Sequence, residues 1–183
     1  MSHPDPIVSS DKIYLHRLSP CDDLSEYLEW VNDEETTTYM DLRHKALSLD
    51  NLKTYIASHL LSNNYLCGIF THSPYQHVGN VLLDSINSHN LCAKVGILIG
   101  KPYWGNGFGV EAIQLICDYG FTALGLHKIR AGIAKPNSGS VKLFERAGFI
   151  REGILMEEFK MGDHFEDILC YGKINPYKNE FSH

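Results

Sequence analysis

The stretch GKPYWGNGFGVEA, residues 100–112, sets four glycines ahead of a run with helical periodicity. No other segment constrains the fold as much. A strand-like run, LCAKVGILIG (91–100), leads into it, and Ile113, Ile116, Cys117 and Leu124 lay an apolar stripe along the segment after it, 110–124. A flexible turn between a strand and a helix serves packing, ligand binding or both. In Trp104-Gly105-Asn106-Gly107-Phe108-Gly109, Gly107 and Gly109 can adopt backbone angles closed to other residues, so that successive N–H groups converge on one point. The helix start adds unpaired donors and the positive end of its dipole. Such a turn suits a pyrophosphate. It is not the dinucleotide fingerprint, because the third glycine is missing and no βαβ unit opens the chain.

The rest of the chain alternates between the same two periodicities. KIYLHRLS (12–19), YLCGIFT (65–71), HVGNVLLDSI (77–86), HKIRAGIA (127–134) and FEDILCYGKI (165–174) read as strands. Helices are expected over LSEYLEWVND (24–33), over 49–62 with Leu52, Ile56, Ala57 and Leu60 on one side, and in SGSVKLFERAG, closed by Gly148. No internal repeat or low-complexity tract interrupts the pattern. The expected architecture is α+β: one domain over 12–176 with a mixed, mostly antiparallel sheet, a loose tail over 1–11 and another over 177–183.

At 183 residues and 44% hydrophobic, the chain can bury a substantial core. A formal charge of −6 without a long basic run argues against nucleic acid as a partner. It suits a cationic substrate, and it leaves room for a phosphate held by local N–H groups. Cys21, Cys67, Cys92, Cys117 and Cys170 are far apart and form no CxxC, so neither a disulfide framework nor a zinc knuckle is expected. The ten histidines are scattered and no HExxH occurs, so no metal is expected. The N-terminus lacks a signal-like apolar core, and no run is long enough to span a membrane. The expected location is a reducing cytoplasm, with no membrane partner.

A second segment, KPNSGSVKLFERAGFIREG (135–153), follows the glycine-rich turn by about thirty residues. With it the chain resembles the GNAT superfamily of acetyl-CoA-dependent N-acetyltransferases. The family's R/Q-x-x-G-x-G/A turn matches Trp104 to Gly109, and its N-x-x-S…G-F segment matches Asn137, Ser140, Gly148 and Phe149. Trp104 in place of Arg or Gln, together with YLEWVNDEETTTYM and FEDILCYGKI, resembles the branch of ribosomal-protein N-terminal acetyltransferases (Rim-type).

The resemblance implies a GNAT fold in which strands 91–99 and 127–134 splay apart around acetyl-CoA. The pantetheine arm would pair with backbone at Ile97, Leu98 and Ile99. The pyrophosphate would rest on N–H groups from Asn106 to Val110, with Trp104, Gly105, Phe108 and Gly109 shaping the turn. Asn137 would hydrogen-bond the arm. Ser140, the catalytic candidate, would lie close to the thioester sulfur. The chain departs from the family twice. Phe144, expected beside the cosubstrate, stands where many members carry a tyrosine acid, and Lys94 stands where many carry a glutamate base.

For the acceptor side, Trp30 is either a pocket wall or a core residue. Asp33, Glu34 and Glu35, read as the end of the first helix, either steer a cationic amine or form a solvated face. Tyr171 and Asp167 either face the site or belong to the body of the fold, and His127 reads as structural. The expected activity is direct acetyl transfer in a ternary complex to a protein N-terminal amine. Alternatives are a small-molecule amine, such as a nucleotide-linked amino sugar, and a non-catalytic acyl-CoA sensor. The resemblance also raises a homodimer.

Overall fold

The structure, a computed structural model, describes residues 5–41 and 46–177. In chain order these residues form β1 (Val8–Ser9), β2 (Ile13–Arg17), α1 (Ser25–Asn32), α2 (Glu34–Thr37), α3 (Leu49–Leu61), β3 (Tyr65–Thr71), β4 (Gln76–Asn87), β5 (Cys92–Ile99), α4 (Phe108–Thr122), β6 (Lys128–Ala134), α5 (Ser138–Arg146), β7 (Ile150–Met161) and β8 (His164–Ile174). The strands make one sheet in the order β1-β2-β3-β4-β5-β6-β8-β7. Among the described residues only β5 and β6 pair in parallel. This is the mixed, mostly antiparallel α+β domain the sequence implied.

A parallel pair needs a crossover, and α4 supplies it. Its stripe of Ala112, Ile113, Ile116, Cys117, Gly120 and Phe121 is buried. It packs on one sheet face with Leu15, Val81, Leu83, Val95, Ile129 and Ala131. On the other face, α1 contributes Tyr27, Trp30 and Val31, and α3 contributes Leu52 and Ile56. These close on Tyr14, Leu66, Phe70 and Leu98. β3 is covered on both sides, which is why YLCGIFT is apolar throughout rather than alternating. Ser48 caps α3 by accepting from Asn51 N at 3.2 Å. Gly148, at φ 87, ends α5 as expected.

Several expectations change. The N-terminal tail is ordered in part: Val8 and Ser9 pair with Leu15 and Tyr14, and Ile7 N donates to Leu15 O. Residues 1–4 and 178–183, within the two expected tails, lie outside the described residues. Tyr177 is tied down by Asn175 Oδ1 and by Asp118. The sequence reading missed β7, because this edge strand is exposed along most of its length and so lacks an alternating apolar signature. Asp33 does not continue α1. It ends that helix and starts α2, its carboxylate accepting from Thr36 N at 2.7 Å. α4 starts at Phe108 rather than Val110.

Gly100 ends β5 directly against the Trp30 indole, and an added Cβ would stand 2.6 Å from Trp30 Nε1. Gly100→Ala is therefore expected to destabilise the fold by about 1–3 kcal/mol through overpacking. Urea unfolding would show it as a lower midpoint with an unchanged slope.

Candidate functional site

β5 and β6 are in register at Cys92–Lys128, Ala93–Ile129 and Lys94–Arg130 and then separate. β5 continues along β4 as far as Gly79–Ile99, while β6 continues along β8 as far as Ala134–Ile168. Gly100 N donates to Val78 O. By the alternation of an antiparallel ladder, Leu98 and Gly96 also turn their backbone groups toward β4. Val95, Ile97 and Ile99 turn theirs into the gap. One of these groups is occupied, since Trp104 Nε1 donates to Ile99 O at 2.7 Å. The exposed Trp104 therefore pins the turn to the end of β5. The expected backbone slot thus narrows to the carbonyl of Val95, whose N–H completes the Lys94–Arg130 bridge to β6, Ile97 and the N–H of Ile99. The Leu98 side chain is buried in the second core and takes no part.

Beyond Trp104, the chain turns through Gly105 and Gly107, at φ 79 and 85. Gly107 is the N-cap of α4, and no side chain caps that end. The first amides of α4 are thus open donors at the mouth of the gap. A Cβ at Gly107 would meet nothing within 4 Å, so this glycine serves the left-handed backbone and leaves space beside the amides. Gly109 has the other role: it is helical and buried, and an added Cβ would stand 2.5 Å from Leu143 Cδ1. It is a packing glycine that brings α5 close to α4, contrary to the conformational role expected for it. Phe108 and Val110 pack at the edge of the α4 core, and Asn106 Nδ2 donates to Tyr103 O at 3.1 Å. An open groove of about 550 Å³ runs from Gly107 and Val110 past Gln114 to Arg146.

The opposite wall of the gap leads into α5. Asn137 caps this helix, its Oδ1 accepting from Ser140 N at 3.1 Å. The cap fixes Ser140 in the first turn, half-buried at the end of β6. Phe144 does not reach the site. It is 3% exposed and packs edge-on to Phe149, with centroids 5.1 Å apart.

A sequence profile described as Acetyltransferase (GNAT) domain matches residues 12–150. The chain belongs to the GNAT acetyltransferase family. It is 38% identical over 113 residues to the probable N-acetyltransferase YjcK of Bacillus subtilis, covering 61% of this chain and 62% of that protein. It is 33% identical over 121 residues to the spermidine N(1)-acetyltransferase of Vibrio cholerae, covering 66% and 70%. The crystal structure of the Vibrio cholerae spermidine N-acetyltransferase with CoA and spermine superposes with a TM-score of 0.82 at 27% identity, over 91% of this chain and 97% of that one. These relatives carry the superfamily; the Rim-type branch rests on the sequence motifs alone. As a GNAT N-acetyltransferase, the chain uses acetyl-CoA, which the unpaired β5 edge and the open α4 amides fit.

Two of the expected acceptor contacts belong to the core. Trp30 is 3% exposed, edge-on to His77 and to Tyr103. Tyr171 is 2% exposed and donates to Glu145 Oε1 at 2.9 Å, and burial first, then that carboxylate, pushes its phenol up. Asp167 is held by Lys135 at 2.9 Å. Asp33 and Glu29 line an open depression of about 780 Å³ with Asn32, Lys101 and Pro102. The bonds from Thr36 hold the Asp33 carboxyl below the usual carboxylate range. Glu35 pairs with Lys101, a cation that the sequence reading did not place there. Glu34 is exposed. The sequence reading also passed over Gly96, which leaves an exposed gap in the sheet face with nothing within 4 Å of a Cβ position. A lone glycine inside an alternating strand was the available signal.

His77, stacked on Phe70 and bonded through Nε2 to Asn80 Oδ1 at 3.0 Å, lies beneath this side of the site. Burial pushes its imidazole down from 6.5 to about 4. The unfolded chain therefore binds the extra proton first. Stability is complete above pH 6.5 and falls as the pH drops toward 4, by about 3 kcal/mol at the lower end. His77→Gln should flatten this dependence in denaturant titrations across that window.

Proposed function

We propose that this chain transfers acetyl directly from acetyl-CoA to a primary amine of a small cationic molecule, within a ternary complex. The observation that carries this reading is the unpaired edge of β5 running into the uncapped N-terminus of α4. In this reading the pantetheine arm adds to β5 at Val95 and Ile97, and the pyrophosphate sits on the amides from Asn106 to Val110. The amine nitrogen attacks the acyl carbon, the carbon–sulfur bond breaks, and the thiolate takes up a proton. Ser140, set by the Asn137 cap, is the side chain assigned to meet that thiolate.

The sequence raised a protein N-terminus and a small amine as acceptors. The small amine is favoured, because relatives named as spermidine acetyltransferases align over half of the chain or more. Glu29 and Asp33 on the α1 side suit an ammonium group. A polyamine is the first acceptor to test. A non-catalytic sensor remains the reading from another class, and thiol release from acetyl-CoA with a panel of amines separates the two.

Gly107→Val forces a branched side chain into a left-handed backbone and fills the space beside the amides. Calorimetry is expected to show acetyl-CoA binding weakened roughly tenfold or more, the scale of a lost charged hydrogen bond. Unchanged affinity in the folded variant would remove the phosphate seat from the turn. Ser140→Ala is expected to lower kcat roughly tenfold, the lower range for loss of one acid, with acetyl-CoA affinity retained. Full kcat would assign the thiolate's proton to solvent.

A further inference from the structure

The family resemblance expects a carboxylate at position 94, and the chain has a lysine. Antiparallel register places Asp84 of β4 directly opposite Lys94, on the same face of the sheet. That face is the one covered by α1 and α3, since Leu82 and Leu98, in phase with Asp84 and Lys94, pack into their core. Lys94 is also the last residue of β5 in register with β6. From Val95 to Ile99 the open edge spans roughly 13 Å at the usual strand rise, a length that an extended pantetheine arm covers. The thioester then comes to rest at Val95 and Gly96. Gly96 is the open point of this face, and Asp84 is its diagonal neighbour, about 7–8 Å away by Cα.

Asp84 is in an unusual state. Its Oδ1 is buried with no hydrogen-bond partner, while the residue as a whole stays partly open to solvent. No ion pair joins it to Lys94 among the described residues. The strand loses register just after it, with Ser85 at φ 51, a bulge of the kind that re-aims side chains beside active sites. Facing it from α3 are His59 and Tyr55, one turn apart and in edge contact at 4.5 Å. His59 Nδ1 lies 3.0 Å from Asn64 Nδ2. An amide nitrogen only donates, so this bond assigns the neutral ring's own proton to Nε2. His59 Nε2 is likewise buried and without a partner. Burial pushes the imidazole down, and the Asp84 carboxylate opposes that push. A buried carboxylate oxygen lacking a donor thus neighbours a buried N–H lacking an acceptor. Such groups call for a water or a ligand between them.

We propose that Asp84 receives the acceptor's ammonium and takes the proton it must lose before attack, with His59 as the residue that positions the carboxylate. The base has moved one strand across, from β5 to β4, and Lys94 stands in its former place. The ammonium gives one proton to Asp84, which passes it to solvent. The nitrogen then bonds the acyl carbon as the carbon–sulfur bond breaks, and its second proton ends on the departing thiolate. Lys94 and, on β6, Arg130 add positive charge on either side of the gap, which favours the free amine over the ammonium.

This assignment rests on the transferase reading, and spermidine is the probe. Asp84→Asn should lower kcat by about a hundredfold near neutral pH. The deficit should shrink as the pH rises toward the amine's own pKa, while acetyl-CoA affinity and Tm stay at wild-type values. Asp84→Glu should recover part of the rate, and His59→Gln should show a smaller loss with the same pH dependence. A wild-type pH–rate profile in Asp84→Asn overturns the assignment while leaving the transferase reading intact. So does a loss that is equal at every pH, or one that Asp84→Glu fails to relieve, since either marks a structural role. Wild-type protein that releases no thiol with any amine overturns both.

Discussion

β5 and β6 stay in register for three residues and then part, because each is bound more extensively to an antiparallel neighbour than to the other. β5 follows β4 to Ile99, and β6 follows β8 to Ala134. Sheet twist carries the two apart, and among the described residues no third strand enters between them. Trp104 holds the opening by placing its indole N–H on Ile99 O. The crossover that a parallel pair demands then brings the start of α4 to the mouth of the gap. One parallel pair in an otherwise antiparallel sheet thus leaves both an open backbone edge and a set of uncapped amides at the same mouth, the two features on which the acetyl-CoA seat is proposed.

The two faces of that sheet divide the work. On one, α4 buries an aliphatic core whose close fit extends to Gly109 and Leu143. This rigidity places the α4 amides, whose uncapped N–H groups and helix dipole suit an anion even in a chain of net charge −6. On the other face, α1 and α3 pack around Trp30, Phe70 and the neutral His77. That core stops short of Gly96, Asp84 and Lys94, and Gly96 and Lys94 stay exposed. Carboxylates line both open surfaces: Glu29 and Asp33 the depression beside α1, and Glu111 and Asp118 the groove beside α4.

Much of this was legible in the primary structure because local chemistry sufficed. YLCGIFT becomes a strand with the bounds its apolar run implies, and α3 and α5 end within a residue or two of their caps. The glycine-rich turn is legible for the same reason: a left-handed position before a helix start is a demand on one or two residues. β7 was missed because an exposed edge strand carries no core pattern. Trp30 and Tyr171 could not be sorted into core or site, and Phe144, expected beside the cosubstrate, is core; an aromatic side chain fits either, and only its neighbours decide. Glu35 and Lys101 are 66 residues apart, and their ion pair leaves no trace in either local stretch.

By itself, the sequence determined most of the elements, the left-handed glycine turn before a helix start, and through its two motifs the family. These depend on backbone propensity and side-chain periodicity within a few residues. The tertiary structure alone decided which strands share an edge, where β5 and β6 separate, which aromatics fill the core, and that Asp84 stands across from Lys94. Register and strand order bring together residues distant in the chain. They are set by how two apolar faces close over one sheet, a condition that no single segment contains.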